Sequence, residues 1–101
     1  MAILRIEHAV PDFAAWKRAF DSNPAGREQS GVRRYRILRP IDDPNYVLVD
    51  LEFDTTTEAE AFGRKLRELR GRVEGTVMTS PRARILEALE SKEYQGVRPA
   101  W

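Results

Sequence analysis

Cysteine is absent from this 101-residue chain, which excludes disulfides, thiolate catalysis and cysteine-ligated metals. Histidine occurs once, as His8. One imidazole among scattered carboxylates falls short of the three or four converging ligands a zinc site needs, so no metal is expected. Lysine is scarce: beyond Lys17, Lys65 and Lys92, arginine supplies all of the 17 basic residues. Arginine-rich sites suit anions, but a codon bias explains the skew equally well. The 16 acidic residues cut the net charge to +1, so the concentrated basic excess of a nucleic-acid binder is missing. No apolar run approaches the ~20 residues of a membrane span. The N-terminus enters a strand-like pattern with no basic segment and apolar stretch of a secretory signal. A cytoplasmic protein that meets neither membrane nor nucleic acid is expected.

What is present centres on Tyr46 to Leu69. Val47, Val49, Leu51 and Phe53 alternate with Tyr46, Leu48, Asp50 and Glu52, the period of two that marks a strand with one apolar and one mixed face. Ala59, Phe62, Leu66 and Leu69 then recur at helical spacing, with Glu58, Arg64, Lys65 and Glu68 on other faces. Between them, Thr55 with Glu58, or Thr57 with Glu60, reads as a capping box.

The rest of the chain follows in order. Ala2 to Ala9 reads as a first strand, with Leu4, Ile6 and His8 on one face and Ile3, Arg5 and Glu7 on the other. Val10-Pro11-Asp12 breaks it, and Asp12 can cap a helix carrying Phe13, Trp16 and Phe20 on one stripe. Ser22 to Gly31 is a polar loop, long enough for a ligand-covering role. Val32 to Arg39 reads as a second strand, and its four arginines suggest a sheet edge. Pro40 to Asn45 is turn chemistry, making a hairpin with the third strand. The second helix weakens at Gly71 and Gly75, Thr79-Ser80-Pro81 ends it, and Arg82 to Glu90 reads as the fourth strand. Residues 1–90 are thus one domain and 91–101 a C-terminal tail.

Strand, helix, strand, strand, helix, strand is the α+β, ferredoxin-like βαββαβ arrangement. Right-handed crossovers place both helices on one face of a four-stranded antiparallel sheet. That face takes Ile6, Val47, Val49, Leu51, Phe53, Ile85 and Leu89. The other carries Ile3, Val32, Leu38, Tyr46, Leu48 and Leu86 among Arg5, Glu7, Arg34, Arg36, Asp50, Glu52 and Arg84. Apolar area of that kind is a liability in water, and a two-fold homodimer pairing the two sheets would bury it.

The run ILRIEHAVPDFAAWKRAFD, Arg27 and Gly31, RPIDDPNYVLVDLEFDTTTEAEAF and SPRARILEALE together resemble the antibiotic-biosynthesis-monooxygenase-like family, nearest its small bacterial "cyclase"-type members. The likeness extends to about Glu90. Its most specific parts are the H-x-V-x-D-(x)3-W opening, from His8 to Trp16, and the Asp-Pro-Asn turn before the third strand. Membership would imply a dimeric α/β barrel with a cavity between helices and sheet in each protomer. It would not settle activity, because the fold serves monooxygenases, haem-degrading enzymes, isomerases and others. The haem-degrading branch uses an Asn on the first strand, a Trp near the second helix and a His upon it. Here the first strand carries Glu7 and His8 and the second helix has neither, which argues against that chemistry.

No catalytic constellation stands out, so an enzyme and a binding protein are both open. His8 is the one side chain whose ordinary pKa lies near neutrality. At the end of its strand it would sit at the mouth of a sheet–helix cavity, as a general base or as a histidine tied to a backbone carbonyl. Trp16, Tyr35 and Phe62 are the candidate ligand contacts, though core packing also explains Trp16 with Phe13 and Phe20. Asp42-Asp43 is turn chemistry, alternation splits Arg33, Arg34, Arg36 and Arg39 between two faces, and the serines lack a base beside them. A homodimer with a small, mostly apolar pocket per protomer is expected. It would perform a cofactor-independent oxidation or isomerisation of an aromatic or polyketide-like compound. The alternative is a non-catalytic ligand-binding or dimerisation protein of the same fold.

Overall fold

Alternation, caps and turn residues resolve into β1 (Ala2–Ala9), α1 (Phe13–Asp21), β2 (Arg34–Leu38), β3 (Tyr46–Phe53), α2 (Thr56–Val73) and β4 (Thr79–Glu87). This computed structural model describes residues 1–23, 26–73, 79–94 and 96. The four strands form one antiparallel sheet in the order β2-β3-β1-β4. The arginine-bearing β2 is an edge, as its charge predicts.

Both helix caps are the ones the sequence offers. The Asp12 carboxylate accepts from Ala14 N at 3.0 Å and Ala15 N at 3.4 Å, satisfying two amides that the first turn leaves unpaired. At α2 the box is Thr55 with Glu58: the Glu58 amide donates to Thr55 Oγ1 at 3.2 Å, and the Thr55 amide to Glu58 Oε1 at 3.3 Å. In the hairpin turn the Asn45 amide donates to Asp43 Oδ1 at 3.0 Å, so Asp43 serves the turn.

Register fixes what each face carries. Ala2, Leu4, Ile6 and His8 pair with Phe53, Leu51, Val49 and Val47 on the inner side. With Trp16 of α1 and Ala59 and Phe62 of α2 they make the core, against which Val32, Ile37 and Leu66 also lie. Fully burying a side chain such as Leu4, Leu51 or Phe53 contributes about 1.5–3 kcal/mol. The two helices sit differently. The backbone of α2 comes close to β1, β3 and β4, whereas α1 meets the sheet through large aromatic side chains.

Three expectations need correction. Val32 precedes β2 and packs on the core, not on the outer face. Leu89 lies exposed beyond the end of β4 and so is not part of the inner face; Ile85 does pair with Leu4 on that face, as expected, though on the edge strand it stays 40% exposed. Where the second-helix signal weakens, α2 still runs through Gly71 to Val73, because helical hydrogen bonding tolerates isolated glycines such as Gly63 and Gly71; Gly75 and the Leu69 side chain lie outside the described residues. The fourth strand starts at Thr79 rather than Arg82, and Pro81 is inside it. The pairing explains the last of these. Glu7 faces Arg82 and Ala9 faces Thr79, so two residues of β4 oppose the single residue His8. A bulge on an edge strand is where a proline, having no N–H to give, is tolerated.

Candidate functional site

His8 is placed by three local features: strand alternation turns it inward, Pro11 ends its strand soon after, and the β4 bulge interrupts the sheet beside it. It is 3% exposed. Its Nδ1 lies 3.3 Å from the Ala9 carbonyl oxygen, which can only accept, so Nδ1 carries the proton and Nε2 the lone pair. No buried side-chain nitrogen or oxygen among the described residues lacks a partner, and Nε2 has none, so the small accessible surface left on His8 includes Nε2. Burial pushes the imidazole pKa below its ordinary value, and the bond to Ala9 only partly opposes this. His8 is therefore neutral at pH 7, with a basic nitrogen on the helix side of the sheet.

From His8 a row of rings runs beneath α1. Trp16 stands 5.9 Å from the imidazole and 5.7 Å from Phe13, and it stacks on Phe20 at 5.2 Å. Phe20 meets the edge of Tyr35 on β2 at 5.0 Å. The one-stripe spacing of Phe13, Trp16 and Phe20 produces this row, and guanidinium groups stand over both its ends. Arg39 lies 5.3 Å from Phe13, and Arg27 lies 3.8 Å from Phe20 and 5.2 Å from Tyr35. Of the candidate contacts, His8, Trp16 and Tyr35 thus share one row. Phe62 is elsewhere, buried under α2 at 5.7 Å from Phe53.

Two further groups carry little signal in the sequence. Arg27 reaches Phe20 over seven residues, through a turn whose shape has no periodic signature; its Nη1 donates to the Phe20 carbonyl at 2.8 Å. Asp50, on the outer face, is 1% exposed although no helix covers it. Arg5 Nε and Nη2 donate to its two oxygens at 2.8 Å each, and Arg36 Nη2 donates at 3.4 Å. Cross-strand register brings these three together, Arg36 and Arg5 each opposite Asp50. The Arg5 bonds hold the Asp50 pKa below the ordinary carboxylate value. Nearby, Tyr46 Oη donates to Glu7 at 2.8 Å, which raises the phenol pKa. Among the described residues no cluster of histidines and carboxylates could hold a metal ion, and no helix is long and apolar enough to cross a membrane.

No family model matches the sequence, and no curated protein does. Solved structures match it in fold. A Nitrosomonas europaea protein provisionally named an antibiotic biosynthesis monooxygenase has TM-score 0.65 at 24% identity, over 89% of this chain and 100% of that one. A point mutant of MhuD, crystallised with two manganese protoporphyrin IX per active site, has TM-score 0.71 at 15% identity, over 93% and 100%. A mutant of SnoaB, a cofactor-independent oxygenase from Streptomyces nogalater, has TM-score 0.62 at 16% identity, over 89% and 94%. The chain has the fold of antibiotic-biosynthesis-monooxygenase-like proteins, as the resemblance in its sequence expects.

Proposed function

We propose that this chain is a homodimeric, small-molecule-binding protein that takes a flat aromatic or polyketide-like compound beneath α1. There it performs a cofactor-independent oxidation or isomerisation, with His8 as the base. The observation that carries this reading is the neutral His8, whose accessible Nε2 begins a row of aromatic side chains. A flat ligand would stack on Trp16, as it could on Tyr35 at the far end of the row. Nε2 would take an acidic proton, leaving an electron-rich anion in a dry pocket for reaction with oxygen or for reprotonation elsewhere. A structural neighbour that works as a cofactor-independent oxygenase supports this choice over a haem reaction. MhuD shares the fold, but the Asn, Trp and His expected for haem degradation are missing here. Pairing of the outer sheet faces would supply the dimer and cover Leu38, Leu48 and Leu86.

A second reading also has an observation behind it. The His8–Ala9 bond and the near-complete burial of His8 and Trp16 are what a packed, non-catalytic histidine would show. His8→Gln separates the two. With a pocket base, the variant keeps the wild-type melting temperature and dimer while losing turnover of an anthrone or phenol probe. The probe's binding is read from Trp16 fluorescence in a Trp101→Phe background. With a packed histidine, the variant melts early, and the wild-type chain neither binds nor turns over the probe; that outcome refutes the catalytic reading.

A further inference from the structure

At the far end of the aromatic row a groove of about 540 Å³ opens between Asn23, Arg27, Glu28 and Gly31 on one side and the stretch from Val32 to Tyr35 on the other. His8 and Trp16 do not line it. Its walls include Arg27, Arg33, Arg34, Tyr35 and Glu28. The three guanidinium groups are not equivalent. Arg33 is committed to Asp54, with bonds of 2.9 and 2.7 Å, and Arg34 leans on Glu52 at 3.8 Å. Among the described residues the Arg27 guanidinium has no carboxylate partner, and its one hydrogen bond is to the Phe20 carbonyl. Its Cζ sits 3.8 Å over the Phe20 ring and 5.2 Å from Tyr35, and with the Phe20 carbonyl bond this holds the guanidinium in place.

The loop that presents Arg27 is itself fixed. Asn23 Oδ1 accepts from the Arg27 amide at 2.9 Å. Gly31 adopts φ +100°, and a Cβ there would come within 2.6 Å of Glu58 Oε2, so the loop closes tightly on the α2 cap. A planar fork fixed in this way, with N–H groups left over, is built for a planar oxyanion held by two parallel bonds. Beside it the Tyr35 ring, 44% exposed, offers a face for stacking.

We infer that this groove binds small aromatic carboxylates, the Arg27 fork taking the carboxylate and Tyr35 the ring. Glu28, on the same wall, opposes the incoming anion and weakens binding. The groove does not need His8 to act, so this inference and the catalytic reading fail separately.

The probe pair is 2-naphthoate and its neutral isostere 2-naphthamide, titrated into the full-length chain at low salt by calorimetry. The acid should bind about tenfold or more tightly than the amide. Arg27→Gln should bring the acid down to the level of the amide, and Glu28→Gln should tighten the acid alone. Arg27→Lys, which keeps stem and charge but not the fork, covers the case in which Arg27→Gln folds poorly; it should lose most of the preference. Equal binding of acid and amide to the wild-type chain, or no binding of either, overturns the inference. So does a preference that survives Arg27→Lys and does not respond to Glu28→Gln.

Discussion

Asp50→Asn is the sharpest test of what holds the sheet together outside its core. Asp50 is buried on a face that no helix covers, and it accepts two 2.8 Å bonds from Arg5 and a 3.4 Å bond from Arg36. Removing one partner of a fully buried pair costs about 3–5 kcal/mol. In the single chain the Arg5 side chain keeps 34% of its surface, so its orphaned guanidinium can turn to water, which lowers the cost there to about 2–3 kcal/mol; pairing of the outer faces would push it back toward the higher figure. That is a large part of a small domain's ~5–15 kcal/mol. At a slope of ~1 kcal/mol per molar urea, the midpoint should fall by about 2–3 M at pH 7. The sign of the pH dependence follows from the lowered Asp50 pKa. The carboxylate's contribution is complete above its unfolded value of about 4 and is lost as pH falls through the lower folded value. The gap between wild type and variant should therefore close in acid. Arg5→Met with Asp50→Leu should recover most of the loss, since an apolar pair leaves no charge unpaired. A deficit under ~0.5 kcal/mol at pH 7, or one unchanged in acid, would show that the triad is ornamental.

Leu48→Asp places a carboxylate between Leu38 and Glu7 on the outer face, and should convert a dimer to a monomer in sedimentation; a wild-type chain already running at 11.6 kDa at micromolar concentration would remove the homodimer. Trp16→Ala deletes a side chain 5% exposed with rings on three sides, and should cost about 3–5 kcal/mol in a thermal melt. An unshifted melt would instead mean that the indole faces open space.

The parts of this fold that are legible in the sequence are those that local chemistry dictates. Period-two alternation assigns β1 and β3 their faces, and Asp12 and the Thr55–Glu58 box mark both helix starts. The start of β4 is not legible, because Thr-Ser-Pro is a breaker in isolation; only pairing with β1 shows that Pro81 falls in a bulge opposite His8. Alternation alone turns His8 inward, but its burial and its Ala9 bond depend on α1 and on that bulge. The same alternation puts Asp50 on the outer face. Its burial comes from two arginines on neighbouring strands, which single-strand periodicity cannot express. Arg27 depends on a turn with left-handed residues, Asn23 at φ 52° and Gly26 at φ 65°, and a pattern of hydrophobicity does not encode where such a turn delivers a side chain.

The same residues are the reason the proposed ligand site lies under α1 and not under α2. Ala59 and Phe62 are buried at 0% and 2%, and the small Ala59 side chain lets α2 settle directly on the strands. No comparable small residue anchors α1 to the sheet. Phe13, Trp16 and Phe20 prop it up, and only Trp16 is fully buried, so the two flanking rings keep accessible edges. A helix held off by rings can trade ring–ring contact for ring–ligand contact at little cost, because both are stacking interactions of similar strength. A helix seated on alanine would have to lift away from the sheet and give up close packing to do the same. In the reading proposed above, His8, at the β1 end of the raised helix, would remove a proton and Arg27, at its β2 end, would hold a carboxylate, with the Arg39 guanidinium over Phe13 a further cation along the row.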